Sequence, residues 1–355
     1  MGRVLAACRL VPPHMLDAMT RSPDHRIREV ARHNQAAADR SRRAPALGSK
    51  AVVGERGGAA EAGKVRRVVR DAGQEPRFDG KVRRREGDPP TGNRDVDDVY
   101  RNTGIVLDFY RRVFNRNGVD GKGMWLISNV EFRQTPAQPM LGAYWYRNHK
   151  AMTFGEEILE VMKRPAKALD FAGHEMTHGV VQFTAKLAHG NEPGALNESF
   201  ADVMASLVKQ WKKGQTASEA DWLIGDTVVY RSKTVRGIRS LKAPGTAYTD
   251  DPHIGSDQQV WQMKHKYRGS KDDGGVHINS GIPNHAFYLV SATLGGLAWE
   301  RAGQVWYASL LRLHPNSDFE DCAQTTYTVA AALFGRGSRV QKAVKSAWKT
   351  VGLPI

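Results

Sequence analysis

With 355 residues, 41% of them hydrophobic and 25% charged, the chain can bury two globular domains and has the composition of a soluble globular protein. No apolar run reaches the roughly 18 residues that a bilayer crossing needs, so we expect no membrane-spanning segment. The formal net charge of +15 would suit a nucleic acid, but the basic stretches before Asp88 contain no interleaved aromatic residues. We therefore do not expect nucleic acid as the main partner, and a basic arm that binds it is the alternative.

The first 63 residues lack the pattern of a folded core. Residues 1–45 read as a short helix behind Pro12 and Pro13 followed by a polar, basic tail, and residues 44–63 are rich in glycine and alanine. The latter composition is typical of an exposed, cleavable linker. The opening apolar run is interrupted by Arg9 and the two prolines, too early for a conventional signal peptide.

Periodic structure begins near Lys64. Apolar residues at helical spacing predict a helix over 96–114, and alternating, aromatic-rich stretches predict strands within 123–132 and 139–155. From Ala166 onward the pattern is helical, over 166–183, 196–213, 220–231, 281–294, 301–312 and 317–333. Strands early and helices late indicate an α+β fold with a helical second half.

The stretch "FAGHEMTHGVV", residues 171–181, places His174 and His178 four residues apart with Glu175 beside the first. On a helix the two histidines share one face, so both can hold one metal ion. The glutamate can then take a proton from a water activated by the metal. Two histidines that only pack on one helix are the alternative.

A third ligand distinguishes these readings. Val181 and Thr184 stand where a metzincin would have glycine and histidine, which excludes that class. Glu198, 20 residues after His178, would complete a two-histidine, one-glutamate set with one open position, the pattern of catalytic zinc. Asp202, one turn later, is placed to accept the second ring N–H of a ligand histidine. A solvated helix face is the alternative for both carboxylates.

His277 follows two glycines in "DDGGVHINSGIPN", just before a predicted helix. Glycines let the backbone approach a ligand closely, and a histidine there can donate a hydrogen bond to a developing oxyanion. Asp272 can pair with this histidine and favour its charged, donating form. An incidental loop histidine is the alternative.

The segments "GHEMTHG", "GALNESFAD", "GIRSL" and "DDGGVHINSGIPN" occur in the order and at the spacing of the thermolysin-like neutral metalloproteases. From about Lys64 to its end the chain resembles this family, and "CRLVPPHML" resembles the short propeptide of its protealysin branch. The resemblance implies a two-domain α+β metallopeptidase. Residues 1–50 would be a propeptide-like basic segment, 51–63 a flexible linker, 64–190 a β-rich domain including the zinc-binding helix, and 191–355 a helical domain.

The resemblance also implies roles for individual residues. The implied ligands of a single zinc ion are His174, His178 and Glu198. The implied general base and oxyanion donor are Glu175 and His277, with catalytic support from Asp202, Asp272, Arg239 and His189. Arg239 would bind the substrate carbonyl, and Ala143 would offer its backbone to an extended peptide. The first primed-side pocket would be lined by Phe171, Ile224, Val228 and Ile238, which implies cleavage on the amino side of bulky apolar residues.

Three positions depart from the family pattern. Gly142 replaces an asparagine that grips the substrate main chain, so one hydrogen-bond donor is lost. His189 replaces a tyrosine that assists His277, and its help would depend on pH. Lys209 replaces a glutamate of the double-calcium site, while three aspartates remain, namely Asp170, Asp221 and Asp226. Because the lysine ammonium can neutralise these carboxylates, we do not predict calcium.

These features predict a zinc-dependent endopeptidase that is secreted by a non-classical route and made as a precursor, which cleaves itself in the 44–63 linker. Its partners would be a peptide or protein substrate and its own N-terminal propeptide. The alternatives are a zinc-binding pseudoprotease weakened at Gly142 and His189, a cytoplasmic location, and a disordered basic tail in place of the propeptide. Cys8 could also reach the zinc as a thiolate, although the two cysteines suggest neither a disulfide framework nor paired ligands.

Overall fold

The computed structural model of the chain describes residues 7–43, 66–158 and 160–355, and for 7–9 and 37–43 it describes the backbone only. The linker predicted over 51–63 lies outside the described residues, as does the whole predicted self-cleavage region. Within the described ranges, no helix is long and apolar enough to cross a membrane.

Strands are concentrated in the first half of the described chain and helices in the second. The strands are β1 (Ala7–Arg9), β2 (Arg67–Asp71), β3 (Lys81–Arg85), β4 (Leu126–Val130), β5 (Arg133–Thr135), β6 (Gln138–Pro139), β7 (Ala143–Tyr146), β8 (Ala151–Phe154), β9 (Leu223–Ile224) and β10 (Arg239–Ser240). The helices are α1 (Pro13–Met19), α2 (His25–Arg43), α3 (Arg94–Phe114), α4 (Leu169–Gln182), α5 (Asn191–Lys213), α6 (Asp272–Asn279), α7 (Gly281–Leu294), α8 (Ala302–Leu310), α9 (Phe319–Phe334) and α10 (Arg339–Thr350). This arrangement confirms the predicted α+β class.

Six strands form one mixed sheet in the order β1-β7-β8-β4-β2-β3. β4 pairs in parallel with β2 and β8, and the other pairs in this sheet are antiparallel. α3 packs against the sheet with an apolar stripe at helical spacing, made of Val96, Val99, Val106, Phe109 and Tyr110. The edge strand β1 comes from the N-terminal segment and pairs with β7, a strand that also contacts α4.

α4 and α5 form the centre of the molecule. The residues of α4 from Asp170 to Val181 are all buried. Close packing of this helix against β7 depends on Gly179, because a Cβ at that position would lie 2.9 Å from the Trp145 ring and 2.6 Å from Val119. The two helices therefore carry the residues of the predicted metal site into the interior, beside the edge of the sheet.

The N-terminal segment, residues 7–43, is folded onto the body of the protein. Its buried apolar residues include Leu10, Val11, Met15, Leu16 and Met19. The polar tail predicted after the first helix is wrong, because α2 occupies that part of the chain. Ile27, Ala31 and Asn34 form a narrow buried face of this helix, which the many surrounding arginines obscure in the sequence. Asn34 bonds the backbone of Pro139 and Leu141 and so anchors α2.

The helix predicted over 220–231 is also wrong, since this stretch is irregular and contains only the short strand β9. Trp222 and Gly225 have φ values of 57° and 77°, which a right-handed helix does not accommodate. Leu223 and Ile224 pair with β10 instead. The apolar spacing here reflects a buried loop. The other predicted helices from 166 onward correspond to α4, α5, α7, α8 and α9, while α6 and α10 are additional.

Leu16→Ala tests whether apolar packing holds the N-terminal segment. Leu16 is 1% exposed, and truncating a buried leucine costs about 2–5 kcal/mol. Because the packing of Leu16 holds only the N-terminal segment in place, we expect faster amide exchange in residues 7–43. Exchange in α4 and α5 should be unchanged. Hydrogen exchange followed by mass spectrometry measures both, with exposed Arg32→Ala as the matched control on α2. Unchanged exchange in the segment would contradict the prediction.

Candidate metal centre and active site

Two histidines and one glutamate meet at the centre of the molecule. The Nε2 atoms of His174 and His178, on one face of α4, lie 3.0 Å apart. Glu198 on α5 places Oε2 3.4 Å from Nε2 of His174 and Oε1 3.7 Å from Nε2 of His178. All three side chains are buried. Ligand atoms at ordinary zinc distances and tetrahedral angles lie about 3.3 Å apart, so this set fits a single metal ion.

Both histidines are fixed through their second ring nitrogen. Nδ1 of His174 lies 3.0 Å from Oδ1 of Asp202, and Nδ1 of His178 lies 3.0 Å from Oδ1 of Asn197. These oxygens favour the tautomer protonated on Nδ1, which leaves Nε2 to bind a metal. Burial lowers the pKa of His178 to about 4, so its imidazole is neutral, the ligating form. Sequence reasoning missed Asn197, although it directly precedes Glu198 on the same helix.

Glu175 lies beside the two histidines. Both of its carboxylate oxygens and Oε2 of Glu198 are buried without a hydrogen-bond partner among the described residues. Buried polar atoms of this kind are costly, and their clustering fits a site for a metal ion and water. Burial, followed by the nearby Glu198 carboxylate, raises the pKa of Glu175 well above its ordinary value. A carboxylate with a raised pKa is suited to accept a proton and return it.

His277 points toward the same cluster, with Nε2 3.6 Å from Oε2 of Glu198. Nδ1 of His277 lies 2.6 Å from Oδ1 of Asp272, and the His277 amide donates to the other oxygen of Asp272 at 2.8 Å. Burial would lower the pKa of His277, but Asp272 and then Glu198 outweigh it and raise the pKa to about 9. The ring is therefore an imidazolium, and a hydrogen-bond donor, at neutral pH.

Asp202 is a fully buried carboxylate with several donors around it. Arg239 donates to both of its oxygens at 2.7 and 2.8 Å, and Nδ2 of Asn284 donates to Oδ2 at 2.9 Å. Burial would raise the pKa of Asp202, but Arg239 and His174 lower it to about 2, so it stays ionised. Sequence reasoning selected Asp202 and Arg239 separately and missed Asn284, which is the last residue of the quoted "DDGGVHINSGIPN" stretch.

The N-terminal segment crosses this site as an extended strand. β1 pairs antiparallel with β7 in a register that joins Arg9 to Tyr144, and Leu10 follows directly after the end of the strand. Nη1 of Arg239 donates to the Leu10 carbonyl at 2.6 Å. The two features expected to hold a substrate, the β7 backbone and the arginine, are thus occupied by the chain's own N-terminal segment.

The side chains expected to line the primed-side pocket are all buried, namely Phe171, Ile224, Val228 and Ile238. They belong to the same apolar cluster as Leu10, the residue whose carbonyl Arg239 holds. That cluster is the main apolar core of the described chain, so the expected pocket residues are part of the folded interior. The side chain of Cys8 lies outside the described residues, so its approach to the metal stays a prediction.

His189 differs from the sequence expectation. Nη1 of Arg147, just after β7, lies 2.5 Å from Nε2 of His189. Burial, followed by the Arg147 guanidinium, lowers the pKa of His189 to about 3. The imidazole is neutral near physiological pH, so its protonation state does not change in that range. The expected pH dependence of its support for His277 therefore does not fall there. Arg147 was not selected from the sequence because 42 positions separate it from His189.

A second cluster of buried charges joins α4 to α5 around Lys209. Its Nζ lies 2.5 Å from Asp226, 3.5 Å from Asp221 and 3.7 Å from Asp170. Nζ also donates to the Leu223 carbonyl at 2.8 Å. Burial would lower the pKa of Lys209, but the aspartates, Asp170 first, raise it. The ammonium therefore occupies the centre of the acidic cluster, as the sequence led us to expect.

This combination of fold and site is that of a metallopeptidase, and comparison with known families agrees. The catalytic domain of the thermolysin metallopeptidases matches residues 84–182, and their alpha-helical domain matches residues 185–353. The chain belongs to the thermolysin metallopeptidases and is a metalloendopeptidase by class. The two-domain fold expected from the sequence, with a sheet-containing first domain and a helical second domain, is confirmed.

Individual relatives place the chain within the family. It is 40% identical over 296 residues to an extracellular metalloprotease of Pectobacterium carotovorum subsp. carotovorum, an alignment covering 83% of each chain. It is 41% identical over 295 residues to protease PrtS of a Photorhabdus strain, covering 82% of this chain and 77% of the relative. The solved precursor of protealysin from Serratia proteamaculans superposes with a TM-score of 0.84 at 36% identity, covering 98% and 99% of the two chains. The resemblance to the protealysin branch is therefore confirmed.

Asp272→Asn tests the charge state of His277. An imidazolium persists below its pKa, so the raised pKa keeps His277 charged up to about pH 9 and the charge is lost above that pH. Without the carboxylate this pKa falls, and we expect the alkaline limb of the kcat/KM profile to move to lower pH. At pH 8 the loss of a charged donor should reduce kcat/KM roughly tenfold or more. Asp273→Asn on the adjacent residue is the matched control, and an alkaline limb that stays in place would refute the assignment.

Proposed function

We propose that the protein is a zinc-dependent endopeptidase made as a precursor, whose N-terminal segment occupies the substrate site until self-cleavage in the 44–63 linker. The observation that carries the proposal is the buried cluster of His174, His178 and Glu198 with Glu175 beside it. The strand β1, held by β7 and Arg239 in the same cleft, supports the precursor state.

The residues present fit one zinc ion, which His174, His178 and Glu198 would hold. When bound, the ion would lower the pKa of a water molecule and withdraw electrons from the scissile carbonyl. Glu175 accepts the proton of the attacking water and delivers it to the leaving amine. The imidazolium of His277, supported by Asp272, donates a hydrogen bond to the oxygen on which negative charge develops.

Substrate orientation follows from the same contacts. The β7 backbone at Ala143 aligns an extended peptide by strand addition, and Arg239 holds one carbonyl of that peptide. By analogy with Leu10, whose carbonyl this arginine binds, the residue after the cleaved bond carries a bulky apolar side chain. Its pocket would be lined by Phe171, Ile224, Val228 and Ile238. Neutral His189, held by Arg147, contributes a polar edge to the cleft.

The proposed domain organisation follows the predicted one. Residues 1–50 form the propeptide, 51–63 the linker, 64–190 the β-rich peptidase domain with the metal-binding helix, and 191–355 the helical domain. Relatives named as extracellular metalloproteases support action outside the cell.

Glu175→Ala, with Glu175→Gln as the isosteric variant, tests the proposal. Removing the proton acceptor should lower cleavage of an apolar-residue peptide by roughly a hundredfold or more while bound zinc stays near one ion per chain. N-terminal sequencing should find the variants intact beside a processed parent. Exposed Glu320→Ala on α9 is the matched control.

A pseudoprotease predicts a different result from the same preparations. Zinc would be bound, but a chelator, Glu175→Ala and Glu175→Gln would all leave peptide turnover at the background level of the parent. Peptide cleavage and metal content measured together, with and without chelator, therefore decide between the two functions. Identical N-termini in parent and variants would reject self-processing alone.

We further propose that Lys209 takes the place of calcium between α4 and α5. Lys209→Met removes the ammonium and leaves the carboxylates of Asp170 and Asp226 buried without their partner. The free energy of unfolding should fall by about 3–5 kcal/mol. Exposed Lys212→Met, near the end of α5, is the control. Calcium should not change the melting temperature of the parent, and a rise on adding calcium would disprove the replacement.

A further inference from the structure

Gly142 lies immediately before β7, beside the N-terminal segment, and its missing side chain leaves a specific space. A Cβ built at this position would lie 2.9 Å from Cγ2 of Val11. Nonbonded carbon atoms prefer separations of roughly 3.5–4.0 Å, so a side chain at 142 and the valine cannot both occupy their places. The position also has a φ of +84°, a conformation that glycine adopts without strain.

Two independent observations place Val11 in the position of a substrate residue. β1 ends at Arg9, which pairs with Tyr144, and two residues further on the side chain of Val11 approaches position 142. The carbonyl of the preceding residue, Leu10, receives the hydrogen bond from Arg239. If Leu10 stands for the residue just after the cleaved bond, then Val11 stands for the second residue after it.

We propose that Gly142 determines specificity for the second residue after the cleaved bond and admits β-branched apolar side chains there, those of valine and isoleucine. This inference rests on the proposed function, because it takes the N-terminal segment as a guide to how substrates bind. From the sequence, the glycine at position 142 means that one hydrogen-bond donor is lost. The structure assigns a second consequence to the same glycine, which is space for a branched side chain.

Neither side of this contact can move away easily. The Gly142 carbonyl accepts from the amide of Gly155 at 2.9 Å, which ties the backbone of 142 to the strand end next to it. On the other side, the strand and the arginine fix the peptide backbone, and a β-branched side chain has one preferred χ1 rotamer in most settings. A methyl group added at 142 should therefore exclude a branched residue far more than it excludes glycine.

The test compares two peptides that share a leucine after the cleaved bond and differ only in the following residue, valine or glycine. We expect Gly142→Ala to lower the valine-to-glycine ratio of kcat/KM by at least roughly fivefold relative to the parent. Any strain from an alanine at positive φ affects both peptides and cancels in the ratio. Gly92→Ala is the matched control, since Gly92 has a φ of +80° with nothing within 4 Å of its built Cβ.

Gly142→Asn provides a second variant, because asparagine tolerates positive φ better than alanine. It should lower the same ratio even if its amide improves binding of both peptides. In the full chain carrying Glu175→Ala, Gly142→Ala should also speed amide exchange in residues 7–11, where Val11 packs against position 142.

The outcomes separate the inference from the function on which it rests. An unchanged valine-to-glycine ratio in both Gly142 variants, with both peptides still cleaved, overturns the inference alone. A parent enzyme that binds zinc and cleaves neither peptide overturns the proposed function and this inference with it. A lowered ratio in the variants and an unchanged ratio in Gly92→Ala supports the assignment.

Discussion

The buried carboxylate of Asp202 is the interaction on which the site depends. An ionised group that is 0% exposed is tolerated only when it is paired and hydrogen-bonded. Asp202 meets that requirement with contacts from three separate elements, an ion-pair contact with His174 on α4 and hydrogen bonds from Arg239 on β10 and Asn284 on α7. One carboxylate thereby contacts both a histidine of the proposed metal site and the guanidinium that donates to the Leu10 carbonyl. In the proposed enzyme, metal binding and peptide binding would be coupled through this single group.

A second set of buried charges stabilises the same pair of helices. Asp170 is the second residue of α4, four residues before His174, and Lys209 follows Asp202 on α5 by seven residues. The lysine ammonium and the histidine–aspartate contact therefore join the two helices at two levels, roughly two turns apart along α5. Because both contacts are charged and buried, sliding of α4 along α5 would separate charges from their partners. The metal-binding geometry is fixed by these contacts as much as by apolar packing.

Local patterns in the sequence were sufficient for part of this site. Two histidines at i and i+4 share a helical face wherever the helix forms, and Glu198 and Asp202 obey the same rule on α5. Contacts between residues that are distant in the sequence were harder to predict from it. Asn197, Asn284 and Arg147 are polar residues whose partners are distant in sequence, and no periodicity marks them. The helix predicted over 220–231 was wrong for a different reason. Burial of a loop produced an apolar pattern that resembles that of a helix.

The pairing of the N-terminal segment with β7 could not be predicted from the spacing of apolar residues. β1 and β7 are separated by more than a hundred residues, and a strand of three residues carries no alternation to read. The motif "CRLVPPHML" suggested a propeptide only by resemblance, and the arginines of α2 made the rest look like a tail. The composition concealed a helix with a narrow buried face, and the arginines of α2 whose side chains are described, Arg26, Arg28 and Arg32, lie outside that face.

The position of the segment also defines what processing would change. Cleavage in the 44–63 linker would break no contact between β1 and β7 or between Arg239 and Leu10. It would remove only the covalent tether, which keeps the strand at an effective concentration on the order of millimolar beside its site. Release would then be governed by dilution and by competition from substrate. In the proposed precursor, loss of the tether would convert an intramolecular inhibitor into a separate ligand that substrate can displace.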